Sequence, residues 1–111
     1  MDKELLFNDQ VNRLQHHHFL ILYWSALSEG KEVRYNITNA FDDLKFQHIT
    51  RTKQTAVSHI EALNLLGFIE LKDESNRKNI YITQFGAKAL QTLAESKRFK
   101  TKKSLFLEVS K

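Results

Sequence analysis

The hydrophobic period of the chain switches from helical to alternating at Gly67, and that switch limits what it can fold into. Before the glycine, Ala56, Ile60 and Leu63 recur at helical spacing, flanked by Val57 and Leu66. That spacing predicts a helix over residues 51–66 with one stripe against a core. After the glycine, "FIELK" and "KNIYI" alternate, with Ile69 and Leu71 on one face and Ile80 and Ile82 on another. The polar "DESNR" between them predicts a β-hairpin. A helix that stops and reverses into a strand needs a left-handed residue at the stop, which glycine adopts without steric penalty. Phe68 then stands where it can pack back on Leu63.

The other helices follow from similar spacing. Asn8 or Asp9 is expected to cap a first helix over residues 9–28, ending at Gly30. "EVRY" reads as a short extended segment. Asn36 caps a short helix carrying Ile37, Ala40, Phe41 and Leu44, and Thr50 or Thr52 caps the helix over 51–66. Thr83 caps a last helix over about 84–98, with Ala87, Leu90, Leu93 and Ala94 expected inward. The end of the chain alternates at Leu105, Leu107 and Val109, a pattern open to strand, helix or no regular structure.

Over residues 19–24, "FLILYW", the first helix is apolar nearly all round, so more than one side is covered. In a chain of 111 residues a second copy is the expected cover. Leu14, His18, Ile21 and Leu22, with Leu93 of the last helix, are the expected contacts of a homodimer.

Helix, short strand, helix, turn, helix, hairpin, helix is the order of a winged helix-turn-helix, an α+β and mainly α fold of one domain. The stretch "AVSHIEALNLLGFIEL…SNRKNIYITQFGAKAL" resembles transcription regulators of the MarR type. It shares the Leu-x-x-x-Gly turn at Leu63 and Gly67, an arginine at the hairpin in Arg77, and "ITQFG" ending at Gly86. The likeness covers about residues 33–93. The acidic-Arg-Arg signature usual in the hairpin is reduced here to Asn76-Arg77. The long connection at residues 45–50 and the single leading helix are also similar to PadR-type and replication-terminator winged helices. The resemblance implies double-stranded DNA as the partner and transcription regulation as the role. It leaves a small-molecule effector open, because so short a chain has little room for a pocket between helices.

Charge sharpens that expectation only locally. The net charge is +4, but residues 97–111 hold six Lys/Arg against Glu108, so the rest of the chain is slightly acidic. Lys45, Arg51 and Lys53 lie in an acid-free stretch over residues 44–60, and Arg77, Lys78 and Lys88 in another over 75–90. On the helix over 51–66 the polar side chains Arg51, Lys53, Gln54, Thr55, Ser58 and His59 are expected outward. Such types suit base edges in a major groove. At the hairpin, Asn76, Arg77, Lys78 and Asn79 are expected to meet phosphates. The basic tail is open to a phosphate backbone, a partner chain or solvent.

Other classes of function find little support. There is no cysteine, hence no disulfide and no thiolate metal site. Residues 19–24 are too short a run for a bilayer, which takes about 20. The acidic start "MDKELLFND" is unlike a signal peptide, so a cytoplasmic, nucleoid-associated protein without membrane contact is expected. Successive helical positions diverge by about 100°, so His16, His17 and His18 are not expected to chelate one ion unless folding brings in His48, His59 or a carboxylate. No metal and no cofactor are expected. No phosphate-binding glycine loop or nucleophile with a base is present, and no catalytic residue is assigned. A protein–protein adapter and a replication or plasmid-maintenance DNA-binding protein are the rival readings.

Overall fold

The computed structural model describes residues 3–107. In chain order these form α1 (Lys3–Asn12), α2 (His16–Gly30), α3 (Ile37–Phe46), α4 (Lys53–Leu65), β1 (Ile69–Glu74), β2 (Arg77–Ile82) and α5 (Gln84–Ser96). The class is α+β and mainly helical, as expected. Among the described residues no helix is long and apolar enough to cross a membrane.

α2 is the axle of the core. Phe19, Leu20, Ile21, Leu22 and Trp24 are all buried, and α2 packs on α3, α4, α5 and β2. The cover for its apolar surface is therefore the rest of the same chain. This corrects the expected dimer contacts: Leu14, Ile21, Leu22 and Leu93 are at most 3% exposed within the single protomer, and His18 turns toward a histidine of α4. None of the four leucines and isoleucines has surface left for a second copy.

The expected single helix over 9–28 is two helices. α1 ends at Asn12, and Gln15 is extended at φ −109°, ψ 179°. Asn8 and Asp9 lie inside α1 rather than capping it. Neither proline nor glycine marks the break. It is held instead by Gln15, whose backbone N–H donates to His18 Nδ1 at 3.0 Å. A histidine thus takes the reciprocal place that Glu or Gln fills in a capping box.

α3 and α4 begin as their sequences indicate. Asn36 Oδ1 accepts from Asn39 N at 2.8 Å, and Thr52 Oγ1, not Thr50, accepts from Thr55 N at 3.2 Å. α4 ends in a Schellman motif around Gly67 at φ +83°. Phe68 N donates to Leu63 O and Gly67 N to Asn64 O, each at 3.0 Å.

β1 and β2 pair antiparallel from Ile69↔Ile82 to Glu74↔Arg77. The two-residue turn is Ser75 and Asn76, at φ 53° and 63°. Positive φ at both central positions is the turn whose twist suits a hairpin. The "EVRY" segment joins the outer edge of β2, with Ile80 N donating to Tyr35 O at 2.7 Å and an isolated bridge Asn36↔Asn79.

α5 begins at Thr83, whose hydroxyl accepts from Gly86 N at 2.9 Å and donates to Gly67 O at 2.7 Å. Its inward stripe is Gly86, Ala89 and Leu93, with Leu90 half-buried, while Ala87 and Ala94 are exposed. The expected stripe is rotated because Gly86 sits directly on the Phe68 carbonyl, and that approach sets which side of the helix faces in.

The tail packs back as an irregular strap. Its carbonyls accept from three side chains of the body: Lys100 O from His16 Nε2, Lys102 O from Trp24 Nε1 and Lys103 O from Gln47 Nε2, each at 2.8 Å. Leu107 is buried, whereas Val109 lies outside the described residues. Buried Asp43 of α3 anchors the strap, accepting from Ser104 Oγ at 2.6 Å, Leu105 N at 2.6 Å and the Tyr35 hydroxyl. Burial pushes the Asp43 carboxyl above its ordinary value, opposed by the hydrogen bonds it receives. Burial, and then the nearby Asp43, push the Tyr35 phenol up as well.

Candidate nucleic-acid interface

The outer side of α4 is open where the sequence indicated. Arg51, Lys53, Gln54, Thr55 and Ser58 are exposed, because Ala56, Ile60 and Leu63 occupy the inner stripe. His59 is the exception. Its ring stacks on His17 of α2 with centroids 3.7 Å apart, so it is half-buried and turned toward the body rather than outward.

In the hairpin, Asn76, Arg77 and Lys78 are exposed, but Asn79 is 1% exposed. The edge segment carrying Asn36 covers it, and its Nδ2 donates to Glu74 Oε1 at 2.8 Å. Asn79 therefore supports the hairpin from within and is not a contact for a ligand. Glu74 also accepts from Tyr81 Oη at 2.5 Å. Those two hydrogen bonds, Tyr81 first, hold the Glu74 carboxyl below its ordinary value. The nearest acid of the turn is thus tied to its own hairpin, leaving its register partner Arg77 without an ion pair among the described residues.

Between α3, α4 and the hairpin lies a cleft of about 550 Å³, lined by Asn36, Ile37, Thr38, Asn39, Lys53, Asn76, Arg77 and Lys78. No acid lines it. Lys53, Arg77 and Lys78 converge there from two elements that sequence alone could not bring together. Lys53 is held by Thr38, its Nζ donating to Thr38 Oγ1 at 3.4 Å. Ile37, Thr38 and Asn39 of the first turn of α3 also line the cleft, adding the positive end of a ten-residue helix. Chemically this is an anion cradle, with donors of three kinds around one opening. Thr38 and Asn39 were not expected in the site; the signal for them was Asn36, since a cap places the next residues at a helix N-terminus.

The other titratable feature near α4 is a group of imidazoles. Burial first, then His18 and His59, hold His17 down at about 3. Burial and His59 hold His18 at about 4, and burial lowers His59. Folding therefore disfavours the protonated forms. The resulting stability is fully present above the ordinary value of 6.5 and is lost as pH falls through the folded values. With chelator present, the wild-type urea midpoint should fall between pH 7 and 5. His17→Gln should show a flatter profile over that range, and an equally steep one would exclude His17 as its source.

No protein-family model, curated protein or solved structure matches the chain.

Proposed function

We propose that this chain is a winged helix-turn-helix protein that binds double-stranded DNA and regulates transcription, in the manner of the MarR-type regulators its sequence resembles. The observation that carries this reading is the acid-free cleft where Lys53, Arg77, Lys78 and the first turn of α3 converge. A phosphate fits that cradle, and phosphate contacts set the register of a protein on a duplex. Gln54, Thr55 and Ser58 stand exposed beside it on α4, with donors and acceptors suited to base edges in the major groove. The order α2, edge segment, α3, α4, β1 and β2 supports the winged-helix assignment.

A homodimer would place two such helices about 34–36 Å apart on a two-fold site. Its surface would include α1, where Leu5 and Leu6 are exposed at 66% and 44%. The interior side chains of α2 have no part in it.

Fluorescence anisotropy on random and selected duplexes, across a salt series, tests the reading. Arg77→Ala should weaken binding to every sequence by a similar factor and reduce the salt slope by about 1. Gln54→Ala should instead relax preference at one base position by about 1–3 kcal/mol. Binding that does not weaken as salt rises would point to a protein partner and remove DNA from the proposal.

A further inference from the structure

Apart from the cleft, folding also brings three imidazoles together. His17 and His18 come from the first turn of α2, and His59 comes from the middle of α4. The ring centroids are 4.1 Å apart for His17 and His18, 3.7 Å for His17 and His59, and 5.8 Å for His18 and His59. One ring nitrogen from each lies within 4.8 Å of the other two. The 100° divergence of neighbouring positions does not keep His17 and His18 apart, because their imidazoles reach beyond the helix surface and converge on His59. His16 takes no part: its Nε2 meets Lys100 O at 2.8 Å and its ring stacks on Phe99 at 5.4 Å.

We infer that His17, His18 and His59 form a binding site for a divalent transition-metal ion, zinc in the first instance, that joins α2 to α4. Three imidazoles with no carboxylate select against calcium and magnesium, which take oxygen donors. They suit zinc, copper, nickel and cobalt, and three protein nitrogens plus one water complete a tetrahedral zinc site. All three residues are half-buried, so a fourth position stays open to solvent.

The rings must move modestly to take the ion. Nitrogens at about 2.0–2.1 Å from zinc lie roughly 3.4 Å from one another, so the donor atoms close by up to about 1.4 Å. Ring centroids around the ion end roughly 5 Å apart, so the stacked His17 and His59 rings splay. His18 Nδ1 accepts the Gln15 N–H, which puts its proton on Nε2. Ligation through either nitrogen of His18 breaks that bond. The site therefore exchanges one capping bond for the ion's bonds to three imidazoles, and the α1–α2 junction is expected to respond to the metal. The site stands whether or not α4 meets DNA.

Zinc chloride titrated calorimetrically into the chelator-treated full chain tests it. One ion per chain is expected, with a rise in melting temperature. His59→Gln and His17→Gln should each weaken zinc binding by roughly tenfold or more, while His16→Gln binds within about twofold of wild type. Far-UV circular dichroism of each metal-free variant establishes folding, and either of the first two variants suffices if the other does not fold. Absence of saturable uptake, one ion shared by two chains, or equal weakening in His16→Gln and His59→Gln would overturn the assignment.

Discussion

A Gly86→Ala variant should lose about 3–5 kcal/mol of stability, or fail to accumulate as a folded protein. A Cβ at position 86 would stand 1.9 Å from Phe68 O, 2.8 Å from Phe68 C and 2.9 Å from Ile82 Cγ1. Two of those three atoms are backbone, so no side-chain rotation relieves the overlap. The Phe68 carbonyl also accepts from Thr83 N at 3.1 Å. Moving it to admit a methyl group would disturb the α5 cap and the first residues of β1 together. Alanine is otherwise the better helix former by about 1 kcal/mol, so a propensity argument gives the opposite sign. Urea denaturation of both proteins decides between them. An unchanged or raised midpoint would show that α5 does not approach β1 this closely.

Asp43→Ala is expected to destabilise the chain by about 3–5 kcal/mol and to release the strap. The substitution removes the acceptor for the Tyr35 hydroxyl, the Ser104 hydroxyl and the Leu105 N–H together. Tyr35 and Ser104 are buried at 1% and 2% exposure. The Tyr35 hydroxyl would therefore lack water as a substitute partner, and a buried donor left so costs about 1–3 kcal/mol, while Ser104 Oγ and Leu105 N each lose a short hydrogen bond. Tyr35→Phe, which removes one donor and leaves the acceptor, should cost far less. Limited trypsin digestion reads the second effect: Lys100, Lys102 and Lys103 should be cut in Asp43→Ala well before the body. If the strap resists trypsin as it does in the wild type, Asp43 is not its anchor.

The regular elements were legible because each carries its own local cause. Asn36, Thr52 and Thr83 are caps whose side chains bond a backbone N–H three residues on. Gly67 takes the left-handed conformation that its place after the α4 stripe called for. The period-2 alternation on either side of Ser75 and Asn76 became β1 and β2. The open polar face of α4 was legible for the same reason, since an inward stripe leaves the opposite side to solvent.

The misreadings share another cause. Gln15 ends one helix and starts the next through His18, a pairing that no common cap signal announces. Asn79 alternates like an outward residue, but the segment at Tyr35 and Asn36 comes back over it. His59 sits on the polar side of its helix and turns to His17. The apolar girth of α2 suggested a partner chain, whereas α3, α4, α5 and β2 supply the cover.

From sequence alone, then, come the places where helices begin, where α4 must stop, which of its sides is dry, and that a hairpin follows. Those depend on neighbours within a few positions, whose bonding and sterics are set by residue type. Tertiary structure alone decided that Lys53 shares a cleft with Arg77 and Lys78, that Gly86 lies under the Phe68 carbonyl, that Asp43 ties down the tail, and that His59 meets His17 and His18. These are meetings between segments distant along the chain. They follow from how whole elements bury their surfaces together, which no local pattern encodes.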